Sequence, residues 1–192
     1  MLFGTLQTSV TRFFDYSGVF MVINEIKKVI TDIFNYTSAL DQKIVNLQIA
    51  SGESRENIKD MLGNYNELAA QVGRTTAQVS DAANDWLRAG YEGKESMQLT
   101  KGSMYLSTLG LMEAGEATSA LISVLKGWKL SVDEVIPVID KLVKVDVNAA
   151  VSAGEIANSM QLVNYSAQQA GLSMDTLIGI LTTNKDVTQR SA

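Results

Sequence analysis

Between residues 16 and 47 the apolar side chains recur by alternating steps of three and four. Tyr16, Ile23, Ile30, Thr37 and Ile44 occupy one heptad position, and Val19, Ile26, Ile33, Leu40 and Leu47 the other. A repeat of 3.5 residues keeps one stripe facing a partner along a whole helix, so this segment is constrained to be one long amphipathic helix. From 19 to 47 it would be about 43 Å long at ~1.5 Å per residue. Phe20, Val22, Val29, Phe34 and Tyr36 flank the stripe, making the apolar face wider than a two-stranded seam. Two uses remain open for it: packing within a bundle, or association with a second copy or a partner. The candidate association residues are Ile23, Ile26, Ile30, Ile33, Leu40, Ile44 and Leu47.

The regular pattern stops at Ser51-Gly52, and shorter helices with capping signals at their starts follow. Ser54 precedes a face of Ile58, Met61, Leu62, Tyr65, Ala69 and Val72, and Gly73 is placed to end that helix. Thr75 and Gln78 have capping-box spacing ahead of Val79, Ala82, Ala83, Trp86 and Leu87. Gly90 and Gly93 bracket the next turn. Residues 94 to 129 read as two helices rich in small residues, broken between Gly110 and Gly115. Ser131 with Glu134 and Ser152 with Glu155 open two more. Their expected buried faces are Val132, Val135, Ile136, Ile139, Leu142 and Val143, then Ile156, Met160, Val163, Ala167 and Ala170. Pro137, the single proline, should kink its helix or mark a later start, because it has no N–H to donate. Gly171 stops the following helix and Ser173 starts another through Leu177, Ile178 and Leu181.

Alternating apolar–polar runs are rare, which leaves an all-α chain: a long heptad-patterned N-terminal helix followed by a compact multi-helix bundle. The expected division is a helical arm over residues 1–51 and a bundle over 52–192. Asp186 and Gln189 are spaced like one more helix-opening pair, yet six residues after Asp186 are too few for a stable helix, for which ~12 are needed. The segment therefore reads as part of something longer.

Composition narrows the chemistry. Hydrophobic residues make up 46% of the 192, enough for a real core and too many for disorder. Neither cysteine nor histidine occurs, which removes thiol nucleophiles, imidazole bases and nearly all zinc or copper ligand sets. The formal net charge is −5 and the basic residues are scattered, with Lys27-Lys28 the only adjacent pair. Direct nucleic-acid binding is therefore not expected, since phosphate neutralisation needs clustered cations. Asp81 with Asp85, and Glu113 with Glu116, sit at helical spacing, but nothing beside them would separate their pKa values for acid–base work. Asp140, Asp146 and Glu155 lack the alternating oxygen ligands of a hard-cation loop. No phosphate-cradling glycine motif occurs. The reading is no enzyme, no cofactor, no metal and no small-molecule substrate.

Two further features have a structural and a membrane reading. Trp128, between Lys126 and Lys129, suits a bundle anchor better than an interfacial one. Gly102–Met112 and Ala117–Leu125 are uncharged blocks rich in small residues, which let helices approach closely in water or in lipid. Each is too short to span a bilayer, which takes ~20 residues.

The run from Gly127 to Ala192 resembles the core region of phage tail tape-measure proteins. The resemblance rests on Asp140-Lys141-Leu142, the Val-Asn-Ala segment Val147–Ala150 and the serine-opened helix 152–170 with Glu155 in its first turn. It continues through Gly171, Ser173, Asp175 and Leu177 and closes on Thr188, Gln189 and Ser191. Residues 75 to 129 fit more loosely, and family members are usually many hundreds of residues long. The resemblance implies a virion protein of the tail interior, present in the host cytoplasm during assembly. It would set tail-tube length, contact the tube and the tail-assembly chaperones, associate with itself, and leave with the genome at infection. The alternative is a membrane-active helical protein that acts in genome delivery or as a pore-forming toxin.

Overall fold

A computed structural model describes residues 39–149 and 151–190. The chain divides into two compact units, Met1–Gln42 and Lys43–Ala192. Of the first, the described residues 39–42 are helical. Ile23, Ile26, Ile30 and Ile33 lie outside the described residues.

Every regular element among the described residues is helical, and the chain is all-α. In order they are α1 (residues 39–51), α2 (Arg55–Val72), α3 (Thr76–Arg88), α4 (Gly93–Leu109) and α5 (Ala114–Trp128). A 3₁₀ turn, Val132–Glu134, leads into α6 (Val135–Asn148), followed by α7 (Ala153–Gln169) and α8 (Met174–Arg190).

The caps lie where the sequence puts them, because each satisfies backbone N–H groups that the first helical turn leaves unpaired. Ser54 accepts from the Asn57 N–H, and Thr75 and Gln78 close a reciprocal capping box. Ser152 and Glu155 do the same for α7, and the Ser173 hydroxyl accepts from the Thr176 N–H at 3.1 Å. Gly73, at φ +65°, ends α2 in the left-handed conformation that costs glycine least.

Two local expectations resolve differently. Ser131 caps the 3₁₀ turn rather than α6, so α6 begins at Val135 and Pro137 falls within its first turn. The missing N–H is then one the helix would not have used, and the later start replaces the kink. Asp186 opens no new helix, because α8 runs unbroken from Met174 to Arg190. Thr182 and Thr183 donate to the carbonyls of Ile178 and Gly179, one turn back, and no proline interrupts the ladder.

The bundle is built around the α5–α7 pair, its most extensive helix contact. α3 and α4 pack on α5, α6 and α8 flank α7, and α2 lies against α3. Leu121, Val124 and Leu125 of α5 and Ile156, Ala157 and Met160 of α7 form the centre, joined by Trp86, Leu99, Leu106 and Leu142. The buried face of α3 is as expected. In α6, Val138 replaces Ile136, which is exposed, and in α7 the polar Asn164 is buried while Val163 is only partly so.

The small residues of α4 and α5 are used inside the bundle. Gly102 faces Val135 and Ile139 of α6 so closely that a Cβ there would lie 3.1 Å from a Val135 methyl. Ala117 and Ala120 are buried in the core. Buried hydroxyls on the same helices remain hydrogen-bonded, as interior polar groups must. Thr100 and Thr118 donate to carbonyls one turn back, and Ser103 accepts from Trp86 Nε1 at 2.9 Å.

Candidate functional site

The association seam of the sequence reading is described from Leu40 onward. Leu40 is half-buried, whereas Ile44 and Leu47 are buried. Their stretch of α1 is held to α3 by an ion pair from Lys43 to Asp81. With its amide turned to satisfy both neighbours, Asn84 of α3 donates to the Asn46 carbonyl at 3.2 Å and accepts from Arg88 Nε at 3.3 Å. α1 ends at Ser51, whose hydroxyl donates to the Leu47 carbonyl, and Gly52 follows at φ +72°.

Most of the carboxylates singled out in the sequence are accounted for structurally, while Asp140 is simply exposed. Asp81 is engaged by Lys43. Burial pushes the Asp85 carboxyl above its ordinary value, and the neighbouring Asp81 adds to the shift. Glu113 and Glu116 form the capping box of α5, and Glu155 that of α7. Asp146 accepts from the Ala153 N–H at 3.5 Å. The Ser131 N–H and then its hydroxyl hold the exposed Glu134 carboxyl below its ordinary value. Among the described residues no three metal-ligating side chains gather, and no helix is long and apolar enough to cross a membrane.

Trp128 is a bundle anchor. Its ring packs against the core, and its Nε1 donates to Asn164 Oδ1 at 3.0 Å. Asn164 in turn donates to Ser123 Oγ at 3.3 Å, and Ser123 donates to the Gln161 carbonyl at 3.2 Å. This chain of bonds registers α5 against α7. Its buried member, Asn164, carries no periodic sequence signal, because a polar residue on an apolar stripe is indistinguishable from an exposed one until a partner is seen.

Large apolar side chains are exposed at several places, among them Ile49 of α1, Val147 of α6 and three further surfaces. On α7, Leu162 is 84% and Tyr165 70% exposed, flanked by Asn158, Gln161 and Gln169. On α8, Ile180 and Val187 are exposed beside Thr176, Gly179 and Thr183. At the α4–α5 turn, Leu111 is 90% exposed at φ +51°, the left-handed region glycine usually takes. Two residues earlier, Leu109 joins Gln71, Val72, Tyr105 and Thr108 around a groove of about 420 Å³. None of these surfaces gathers groups that activate a nucleophile.

A family model described as phage-related minor tail protein matches residues 65–192, which take in α3 to α8 and the second half of α2. The chain belongs to this family. As a phage minor tail protein it is a structural component of the virion tail, with other tail components as its neighbours. No solved structure matches it. The matched region of this minor tail protein contains the whole α5–α7 core and these three outward surfaces.

Proposed function

We propose that this minor tail protein acts as a tape-measure protein, setting tail-tube length during assembly and leaving with the genome at infection. The observation that carries the reading is the family match over residues 65–192, which places the chain in a tail. The resemblance of residues 127–192 to tape-measure cores supports the finer role. So does helix physics: a fixed rise per residue turns residue count into distance. Residues 1–51 are the proposed helical arm. Ile23, Ile26, Ile30, Ile33 and Leu40 are its association seam, toward a second copy, the tube or an assembly chaperone. Ile44 and Leu47 are already buried and serve that seam as its anchor in the bundle.

The test is an in-frame deletion of residues 16–36 from the phage gene, followed by tail-length measurement in the electron microscope. The deletion removes three heptads, keeps the seam in register and spares Ile44 and Leu47. A ruler shortens by about 32 Å. Viable particles with tails of unchanged length would refute the length-setting role for this segment. Leakage of liposomes by the purified chain at low protein-to-lipid ratio would instead support the membrane-active reading.

A further inference from the structure

We propose that residues 43–51 exchange between two copies of this chain. The turn at Gly52 straightens, α1 and α2 join into one helix, and each copy's segment fills the other's site on α3. The exchange uses only the Lys43–Ala192 unit and does not rest on the tape-measure reading.

Sequence register points to the joined helix. Ile44, Leu47, Ser51, Ser54, Ile58, Met61, Tyr65, Leu68 and Val72 step by three and four without a slip. The heptad stripe of α1 thus runs straight through the turn into α2, where Ile58, Tyr65 and Leu68 are buried. Two helices folded back on each other need no common register across their turn, whereas one stripe on one continuous helix does. Continuous from 43 to 72, that helix would be about 45 Å long. A proline would forbid it, but the single proline of the chain is Pro137.

The turn is held by one backbone angle and a few short bonds. Gly52 takes φ +72°, and a Cβ there would meet nothing within 4 Å, so the position needs glycine for its angle alone. The Glu53 N–H donates to Ser51 Oγ at 3.2 Å, and the Asn57 N–H to Ser54 Oγ at 3.2 Å. In the joined helix the N–H groups of 53 to 57 meet carbonyls one turn back instead. Straightening therefore leaves no backbone group of the turn unpaired.

The site on α3 identifies the occupant. In the closed chain Asp81 holds Lys43 and Asn84 holds the Asn46 carbonyl, with Ile44 and Leu47 buried beside them. These contacts advance together along both helices, so α1 runs parallel to α3. α2 packs on α3 through the short turn at 73–75 and runs the other way, which makes α1 and α2 an antiparallel hairpin. Straightening empties the site on α3 and uncovers Ile44 and Leu47 at once. The same segment of a second copy brings identical groups, so every contact is remade and no new surface is required. The two long helices then lie antiparallel, with both former turns beside the two-fold axis. A hinge as short as 52–54 favours the exchange.

Sedimentation velocity of the full chain, refolded at rising concentration, should show monomer and a slowly exchanging dimer. Gly52→Ala penalises the turn and favours the helix, and should lower the concentration needed for the dimer at least about tenfold. Ser54→Pro suits the present φ of −67° but cannot continue a helix, and should hold the chain monomeric. The exchanged segment is identified with a carbodiimide, which couples the Lys43 amine to the Asp81 carboxylate with loss of water. In dimers refolded from a mixture of unlabelled and heavy-isotope chains, the coupled peptide should join the two isotopes. A dimer whose coupled peptides all stay isotopically pure would place association on the N-terminal seam or elsewhere and overturn the proposal. A monomer in Gly52→Ala at every concentration would overturn it as well.

Discussion

Gly154 at the start of α7 and Gly110 at the end of α4 meet backbone to backbone. A Cβ on Gly154 would stand 2.5 Å from the Gly110 carbonyl oxygen, and one on Gly110 would stand 3.0 Å from the Gly154 nitrogen. The contact lets the α4–α5 turn sit against the first turn of α7, bringing Met112 into the core. Neither glycine has positive φ, so their requirement is for space rather than conformation.

Gly154→Ala should therefore destabilise the bundle by about 2–4 kcal/mol, because the obstructing atom is a main-chain oxygen that cannot rotate away. Gly63→Ala should do the opposite. Gly63 is exposed inside α2 with nothing within 4 Å of a new Cβ, so alanine removes unfolded-state freedom and gains up to about 1 kcal/mol. Urea unfolding of the two variants checks both signs, and equal stability of Gly154→Ala and the parent would show that the turn can shift.

The Trp128–Asn164–Ser123 chain makes a second expectation. Asn164→Leu keeps the volume but leaves Trp128 Nε1 without its acceptor, while Ser123 Oγ loses one of its two bonds and keeps the Gln161 carbonyl, at a cost of about 1–3 kcal/mol. A double-mutant cycle with Trp128→Phe should recover part of that loss as coupling, since both changes remove the same bond. Zero coupling would mean that the bond contributes nothing to holding α5 on α7.

Tyr65, 1% exposed on α2, has its phenol pushed up to about 12 from 10.0 by burial. Below pH 10 both folded and unfolded chains keep the proton, so this residue adds no pH dependence there. Above it the unfolded chain ionises Tyr65 first, and stability falls as pH rises through the interval from 10 to 12. At 1.36 kcal/mol per unit the loss is about 2–3 kcal/mol. Unfolding midpoints of Tyr65→Phe and the parent between pH 9 and 12 should diverge in the parent's disfavour. Parallel curves would show that the phenol reaches solvent.

Much of this architecture was legible before the structure. Ser54, Thr75, Ser152 and Ser173 each announce a helix start through a hydroxyl that must accept a nearby N–H, a relationship confined to four residues. The faces of α2 and α3 were legible for the same reason, since burial on one side of a helix imposes a 3.6-residue period. Less visible were Asn164, whose burial depends on a tryptophan 36 residues earlier, and Leu162 with Tyr165, whose exposure only the neighbours of α7 define. Pro137 shows the boundary well: its lack of an N–H was certain, but whether that mattered depended on Ser131 closing a 3₁₀ turn first.

The amino-acid sequence by itself determined that this protein is helical, where α2, α3, α7 and α8 begin, and that chemistry based on thiol or imidazole is excluded. Those properties follow from short-range hydrogen bonding, periodicity and composition. Tertiary structure alone decided that Gly110 and Gly154 touch, that Ile44 and Leu47 are buried, that Gly102, Ala117 and Ala120 face inward, and that an uncharged face of α7 points out. Such facts depend on which helices become neighbours, and that is settled by the fit of side chains far apart in the chain.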